Sequence, residues 1–319
     1  MKTLVTAALL FTATFSLQSQ PNYAKADSIA KAFDESYTDA ADLARQLTEP
    51  FNTEAEKARV LFAWVAMNIR YDYKKYKDPP PSPRFSGSTR QEVEKKMKDW
   101  QESENRKTLR SKKGVCEDYS QLYHKMCASV GLESVVVTGL SRKMTGRGGD
   151  HAWNAVKIGG QWQLLDATWG AGFVDDDDER FVRRYMPAFF ATPPALFILQ
   201  HLPDDDQWQL LEKPISKKEF DKQPNVNFSH PDWTVLAFLP ENGKATLKDG
   251  QAEVRLKFET TPAFFGVLIG KNKQIVPQVQ KTDDGWAILT FPSGRASTVS
   301  IFAGKSEKNA VMLAQFAVE

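Results

Sequence analysis

A tight hairpin near the middle of the chain is the feature that most restricts the fold. Two short apolar segments, Trp153–Ile158 and Trp162–Asp166, flank Gly159–Gly160. A Gly-Gly pair between two such segments favours the turn that joins antiparallel strands. Because the strands run back along each other, their outer ends meet, and these ends carry His151 and Asp166. The hairpin therefore predicts that an imidazole and a carboxylate are neighbours in space.

A cysteine upstream of this hairpin lies where a loop meets a predicted helix. Tyr119–Val130 has helical spacing of apolar residues, and Gly131 is expected to end the helix in a left-handed conformation. A thiol at a helix N-terminus feels the positive end of the helix dipole, which favours the nucleophilic thiolate. With His151 and Asp166, Cys116 would complete a Cys-His-Asp arrangement for nucleophilic catalysis.

The segment before this cysteine predicts further helices and an exposed excursion. Asp27–Leu47 is expected to form one helix, and Thr53 is expected to cap a second, whose Trp64 is assigned to the core. The prolines of Asp78–Pro83 interrupt regular structure. Ser88–Arg110 is highly charged, and we interpret it as a solvated excursion or exposed helix, with a lid over a site as the alternative.

Short alternating segments dominate the chain after Trp233. Ala252–Glu259 places Val254, Leu256 and Phe258 on one face and charged residues on the other. Further strands are predicted at Phe264–Ile269, Ile275–Gln280, Trp286–Phe291, Thr298–Phe302 and Val311–Ala317. Regularly spaced short strands with polar turns between them are typical of a small antiparallel sandwich of the immunoglobulin-like kind.

The length of the chain, 319 residues, fits two domains. We predict an α+β domain over residues 27–230 and an all-β sandwich over residues 231–319. Lys and Arg number 42 against 40 for Asp and Glu, a net charge of +2, so the chain has no basic field for nucleic acid. Two cysteines exclude a disulfide-rich scaffold.

The first residues have the layout of a secretory signal peptide. Lys2 precedes the apolar stretch Leu4–Leu17, which is too short for a membrane span of about 20 residues. We predict a signal peptide within residues 1–26, cleaved after Ser16 or after Ala26. The mature protein is then expected to be exported, periplasmic or extracellular, without a transmembrane segment.

No sequence pattern places the other cysteine or the other histidines in the site. Cys127 lies eleven positions after Cys116, about 16 Å along a helix, which excludes a disulfide and favours a core position. His124 would lie about 12 Å from Cys116 along the same helix. His201 and His230 follow no motif, and the spacing of these residues is not that of a zinc site.

The acidic run Asp175–Asp178, followed by Glu179, is the one low-complexity piece of the sequence. It lacks the alternating oxygen ligands and the glycine of a calcium-binding loop, so we interpret it as a solvated turn. The sequence has no glycine-rich phosphate-binding loop. We therefore predict neither a metal nor a cofactor.

Three motifs follow one another in the chain and carry a family resemblance. They are Gly-Val-Cys-Glu at Gly114–Glu117, His-Ala-Trp-Asn at His151–Asn154, and Leu-Asp-Ala-Thr-Trp-Gly-Ala-Gly at Leu165–Gly172. Together they resemble the transglutaminase-like superfamily of papain-type Cys-His-Asp enzymes. Trp64–Tyr73 resembles the helix that precedes the nucleophile in that family, and Pro203–Leu211 resembles the kyphoscoliosis-peptidase branch most closely.

The resemblance covers roughly residues 54–220 and implies a papain-like α+β fold. It implies Cys116 as nucleophile, His151 as base and acid, and Asp166 as the residue that orients His151. The implied reaction is acyl transfer through a thioester on Cys116, with hydrolysis of a protein or peptide substrate favoured. The alternatives are a protein cross-linking transglutaminase and a catalytically silent binding module.

The sequence departs from the family at the residue after the nucleophile. Animal cross-linking transglutaminases have a tryptophan there, whereas this chain has Glu117. If its carboxylate faced Cys116, it would raise the pKa of the thiol and weaken activation. For the oxyanion hole, the backbone N–H of Cys116 is one expected donor, and the side chains of Asn68 and Trp100 are candidates for the second.

Overall fold

Helices dominate the first part of the chain and strands the second. The structure is a computed structural model, and it describes residues 22–33, 36–143, 148–175, 179–230, 232–271, 273–294 and 296–319. Of the acidic run predicted to be a solvated turn, residues 176–178 lie outside this range, as do residues 1–21 of the predicted signal peptide. No described helix is both long enough and apolar enough to cross a bilayer.

The α-helices of the described residues all lie before residue 221. They are α1 (Ala24–Ala32), α2 (Ala40–Thr48), α3 (Glu54–Asn68), α4 (Tyr73–Lys77), α5 (Arg90–Ser111), α6 (Cys116–Ser129), α7 (Ala167–Ala171), α8 (Pro194–Phe197) and α9 (Lys217–Phe220). α3 begins as predicted, with the Thr53 hydroxyl accepting from the Glu56 N–H at 3.2 Å. Its Trp64 is fully buried, and α5 is an exposed helix.

The prediction of one helix over Asp27–Leu47 is wrong. α1 ends at Ala32 and α2 starts at Ala40, because Asp39 adopts an extended conformation and caps α2. Its carboxylate accepts hydrogen bonds from the Ala41 and Asp42 N–H groups. An aspartate that caps in this way starts a new helix instead of continuing the previous one.

A five-stranded antiparallel sheet forms the other half of the first region. Its order is β8-β5-β4-β3-β9. The strands up to residue 203 are β1 (Arg70–Tyr71), β2 (Lys113–Gly114), β3 (Ser134–Ser141), β4 (Asp150–Ile158), β5 (Gln161–Leu165), β6 (Gly172–Asp175), β7 (Arg180–Arg183), β8 (Phe190–Thr192) and β9 (His201–Pro203). The predicted hairpin is confirmed: Ile158 pairs with Gln161, and Gly159 and Gly160 both have positive φ.

Two sheets of six strands face each other in the second region, which confirms the predicted sandwich. Their strands are β10 (Asn225–Val226), β11 (Ser229–His230), β12 (Trp233–Leu239), β13 (Lys244–Ala245), β14 (Leu247–Lys248), β15 (Gln251–Phe258), β16 (Phe264–Ile269), β17 (Lys273–Ile275), β18 (Gln278–Lys281), β19 (Trp286–Pro292), β20 (Thr298–Gly304) and β21 (Val311–Val318). One sheet has the order β10-β21-β20-β16-β17 with β13 beside β21, and the other β11-β12-β15-β19-β18 with β14 beside β15.

The segment Ile275–Gln280, predicted as one strand, is two. β17 pairs with β16 in one sheet, whereas β18 pairs with β19 in the other. The chain crosses between the sheets at Val276 and Pro277, and a proline cannot donate to a strand ladder.

The two regions share one apolar core. Phe189 packs against Phe228 with ring centroids 5.1 Å apart. The guanidinium of Arg142, at the end of β3, donates to the carbonyls of Leu199, Gln223 and Pro224 and so ties the sheet to the chain that leads into the sandwich. The first region, packed in this way, holds the candidate site.

Candidate active site

Cys116 is the first residue of α6 and is partly exposed. Val115 precedes it in an extended conformation, so the chain turns sharply into the helix at the thiol. The first N–H groups of a helix have no acceptor within the helix, so those beside Cys116 are available to a bound group. The side chain of the next residue, Glu117, is exposed to solvent, which removes the sequence argument that its carboxylate faces the thiol.

A buried carboxylate fixes the start of this helix. Asp118 accepts a hydrogen bond from the Val115 N–H at 2.7 Å. It also forms an ion pair with Lys75, whose Nζ lies 2.8 Å from the carboxylate. A Cβ atom on Gly114 would lie 2.5 Å from the Cβ of Asp118. Only glycine therefore fits at this point of the motif, and Cys116 is set at a defined place beside β1 and β2.

His151, the second residue of β4, reaches both Cys116 and Asp166. Its Nε2 lies 2.7 Å from Oδ2 of Asp166, and the Cys116 thiol lies close enough to the ring to help raise its pKa. Since Asp166 uses Nε2, the nitrogen that remains for Cys116 is Nδ1. The prediction that the hairpin brings His151 and Asp166 together is confirmed, and the structure adds Cys116 to the same cluster.

Asp166 is fully buried and serves two structures at once. Its Oδ1 accepts from the N–H groups of Thr168 at 2.8 Å and Trp169 at 3.0 Å, which caps α7. Its Oδ2 accepts from the His151 ring. Because one oxygen binds α7 and the other binds His151, the orientation of the carboxylate towards β4 is fixed.

A second histidine, His201, contacts the same carboxylate oxygen. Its Nε2 lies 3.0 Å from Oδ2 of Asp166, and its side chain is fully buried. Sequence reasoning missed it, because His201 lies 35 residues beyond Asp166 in a segment without helical or strand periodicity. The pairing of β9 with β3 brings His201 to the site, and a single sequence does not reveal that pairing.

A close backbone approach positions β9. Gly139 of β3 pairs with His151 on one side and Pro203 on the other. A Cβ atom at this position would lie 2.1 Å from the Leu202 carbonyl oxygen and 2.8 Å from the Trp153 ring. The absence of a side chain at Gly139 therefore lets β9 approach, and with it His201.

The pKa shifts show a buried ion pair. Burial alone would lower the pKa of His151, but the negative charge of Asp166 and hydrogen bonds to Asp166 and Cys116 outweigh it and raise that pKa. Burial alone would raise the pKa of Asp166, yet the charge of His151 and hydrogen bonds from both histidines hold it well below its usual range. Burial lowers the pKa of His201, so this ring is neutral.

Aromatic rings enclose the histidines. The ring centroid of Trp169 lies 5.6 Å from that of His151 and 4.6 Å from that of His201. Phe197 stacks on His201 at 4.0 Å with an interplanar angle of 18°. Trp169 is half-buried and forms a wall of the site.

The two side chains suggested for the oxyanion hole are used elsewhere. The Asn68 amide donates to the carbonyls of Ala30 and Trp64, and Trp100 packs edge-on against Phe85. None of these contacts involves Cys116.

Tyr71 is a further polar group beside Cys116. It pairs with Gly114 across β1 and β2, and the charges of Cys116 and Asp166 act on its pKa. Burial, the largest cause, and these negative charges raise the pKa of Tyr71, so its hydroxyl stays protonated. Within the described residues, this hydroxyl has no hydrogen-bond partner.

The remaining candidates from the sequence lie outside the cluster. Cys127 is fully buried, as predicted, and burial raises the pKa of its thiol to about 12. His124 is hydrogen-bonded to Ser134 at 3.0 Å, and His230 stacks on Trp233 at 3.8 Å.

Among the described residues, one group of side chains is of the types that can bind a metal ion, namely His151, Asp166 and His201. Their ligand atoms all lie within 4.8 Å of one another. Imidazole and carboxylate are ligands that zinc accepts. The same Nε2 and Oδ2 atoms form the two hydrogen bonds above, so a metal ion would have to displace both ring protons.

Comparison with known proteins gives one family match. Residues 41–167 match the transglutaminase-like superfamily. Among curated relatives, kyphoscoliosis peptidase of Mus musculus is 29% identical over 275 residues, which cover 83% of this chain and 38% of the relative. Kyphoscoliosis peptidase of Homo sapiens is 30% identical over 258 residues, which cover 79% of this chain and 36% of the relative. Hillarin of Drosophila melanogaster is 26% identical over 254 residues, which cover 69% of this chain and 27% of the relative.

The chain thus spans less than two fifths of the length of these relatives. The aligned part covers most of this chain, and the family match contains Cys116, His151 and Asp166.

Proposed function

The chain belongs to the transglutaminase-like superfamily, and from that premise we propose that it catalyses acyl transfer through a thioester on Cys116, with water as the final acceptor. The observation that carries the proposal is the position of the His151 ring, which lies 2.7 Å from Asp166 and close enough to the Cys116 thiol for that group to act on its pKa. A thiol, an imidazole and an orienting carboxylate in this order activate a nucleophile.

In the first step the Cys116 thiolate attacks the carbonyl carbon of a peptide or amide, and the carbonyl oxygen becomes an oxyanion. The His151 imidazolium gives its proton to the leaving nitrogen as the carbon–nitrogen bond breaks. A thioester and a free amine result. In the second step His151 takes a proton from water, the hydroxide attacks the thioester, and the acid leaves while Cys116 is regenerated as a thiolate beside the imidazolium.

Two donors are proposed for the oxyanion. One is the backbone N–H of Cys116, which lies in the first turn of α6 and has no acceptor within the helix. The other is the hydroxyl of Tyr71, a protonated group on the neighbouring strand without a hydrogen-bond partner among the described residues.

Hydrolysis is proposed over cross-linking for two reasons. Two of the relatives, at 29% and 30% identity, are named as peptidases. In addition, Glu117 stands where cross-linking transglutaminases have a tryptophan. The substrate is proposed to be a protein or peptide.

Acylation with p-nitrophenyl acetate tests the proposal on the full chain. We expect a burst of nitrophenol and one acetyl group on the Cys116 peptide by mass spectrometry. Cys127→Ala should retain both, and Cys116→Ala should lose both. Addition of an alkylamine should leave acetate as the main product, whereas a dominant acetamide product would favour cross-linking. Absence of acylation in the folded protein would leave the silent binding module as the better interpretation.

Export remains part of the proposal. Ala26 is buried in α1, and the side chain of Asp27 binds Arg59 at 2.7 Å and the Tyr185 hydroxyl at 2.9 Å. Cleavage after Ala26 would cut through α1, so we propose cleavage after Ser16. The intact mass of the protein secreted from an expression host measures this directly.

A further inference from the structure

A fully buried histidine that the proposed reaction does not use lies against the orienting carboxylate. The Nε2 atoms of His151 and His201 lie 2.7 and 3.0 Å from the same Oδ2 atom of Asp166. A carboxylate oxygen only accepts hydrogen bonds, so both rings present an N–H to it. His201 therefore has its proton on Nε2.

Its surroundings fix His201 in this state. Phe197 stacks on the ring at 4.0 Å, and Trp153 meets it edge-on at 5.1 Å. Its Nδ1 is buried near the Phe197 carbonyl without a well-aligned hydrogen bond. Burial without a second partner favours a neutral ring, which can donate at Nε2 and nowhere else.

The carboxylate of Asp166 needs this donor. It is out of reach of water, and a buried carboxylate is stable as an anion only when its oxygens are hydrogen-bonded. Oδ1 has the N–H groups of Thr168 and Trp169, and Oδ2 has the two histidine rings. Without His201, the donor to Oδ2 that remains among the described residues is Nε2–H of His151, whose ring gains and loses a proton at Nδ1 in the proposed catalysis.

We infer that His201 is a positioning residue that holds Asp166 ionised and aligned on His151. The inference rests on the proposed function, because alignment matters only if His151 activates Cys116. Among the described residues, Tyr71 and Tyr119 also lie close enough for the charge of Asp166 to act on them. Burial raises the pKa of both tyrosines, so neither titrates at acid or neutral pH.

Two substitutions separate the hydrogen bond from the packing. His201→Phe keeps an aromatic ring among Phe197, Trp153 and Trp169 but removes the donor. His201→Gln loses the aromatic ring and its packing but keeps an N–H group within reach of Asp166. A role in packing alone predicts that phenylalanine is the better replacement, whereas a positioning role predicts glutamine.

The measurement is the rate of iodoacetamide labelling of the Cys116 peptide between pH 4 and 9. In the wild type we expect labelling well below pH 8, with an acid limb where the Cys116 thiolate beside the His151 imidazolium is protonated. His201→Phe should move that limb upward by about one pH unit, since a hydrogen bond to a charged group is lost. His201→Gln should bring it back towards the wild-type position.

An acid limb unchanged in His201→Phe would overturn the inference, as would equal shifts in both variants. A wild-type profile that rises only near pH 8.5, as for an ordinary thiol, would instead refute the proposed function itself. Nitrogen-15 NMR of histidine-labelled wild type gives a test that needs no variant. The inference requires a neutral His201 protonated at Nε2 at pH 7, and a proton on Nδ1 would contradict it.

Discussion

The two regions of the molecule differ in what they bury. All of the buried acidic side chains, histidines and arginines of the described residues lie before the sandwich, and they are Arg59, Asp118, Arg142, His151, Asp166 and His201. In the described part of the sandwich, the buried polar side chains are Ser229, Ser293 and Ser300. Burial of a charge costs free energy unless it is paired, so the first region gives up stability where the second does not. The comparison favours the first region as the place of the proposed reaction.

The largest expected effect breaks the charged cluster. His151→Ala should slow iodoacetamide labelling of Cys116 at pH 6 by about 100-fold or more, because an unassisted thiol of pKa about 8.5 is only about 0.3% ionised at that pH. His124→Ala is the matched control, since His124 is bound to Ser134 and should leave the rate unchanged. Equal rates for the wild type and His151→Ala would end the assignment as an enzyme.

A substitution in the core of the sandwich should lower stability without changing the reactivity of Cys116. Leu256 is fully buried on β15, so Leu256→Ala should lower the free energy of unfolding by about 2–5 kcal/mol, measured by urea denaturation. Val279→Ala, on the exposed edge strand β18, should change it by less than about 0.5 kcal/mol. Under native conditions neither should alter Cys116 labelling. A slower rate in Leu256→Ala would show that the sandwich shapes the site.

A smaller effect on the thiol is expected from Asp166→Asn. The side-chain oxygen still caps α7, but the new amide cannot accept the proton of His151, which then takes the other tautomer. Labelling at pH 6 should fall by about tenfold, with little loss of stability. Asp39→Asn makes the same change at the cap of α2 and should affect neither quantity. A large loss of stability with an unchanged rate would mean that Asp166 is structural.

The smallest effect tests the residue in which this chain departs from the cross-linking enzymes. Because Glu117 is exposed, Glu117→Gln should change the labelling rate by less than about twofold. A clear acceleration at pH 6 would show that the carboxylate turns towards Cys116 in solution.

Local patterns made much of the fold predictable. Alternation placed a strand at Ala252–Glu259, one residue from the observed Gln251–Phe258, and the strand at Phe264–Ile269 has the predicted bounds. The hairpin followed from Gly159–Gly160, because turn chemistry and strand period act within a few residues. The same turn brought His151 and Asp166 together. The limits of the domains and the catalytic roles stay predictions.

The predictions that failed depend on a single capping residue or on distant parts of the chain. Helical spacing continues through Asp27–Leu47, and only the cap at Asp39 decides that two helices form. His201 has no signal of its own, since its place depends on the pairing of β9 with β3 and on the missing side chain at Gly139. Contacts of this kind cannot be deduced from periodicity.

The double use of Asp166 has an evolutionary consequence. One oxygen builds the turn into α7 and the other serves the histidines, so the residue is under selection for folding as well as for any reaction. Cys116, partly exposed at the start of α6, has no comparable duty to the fold. A descendant that abandons chemistry can therefore exchange its cysteine early and keep its aspartate long afterwards.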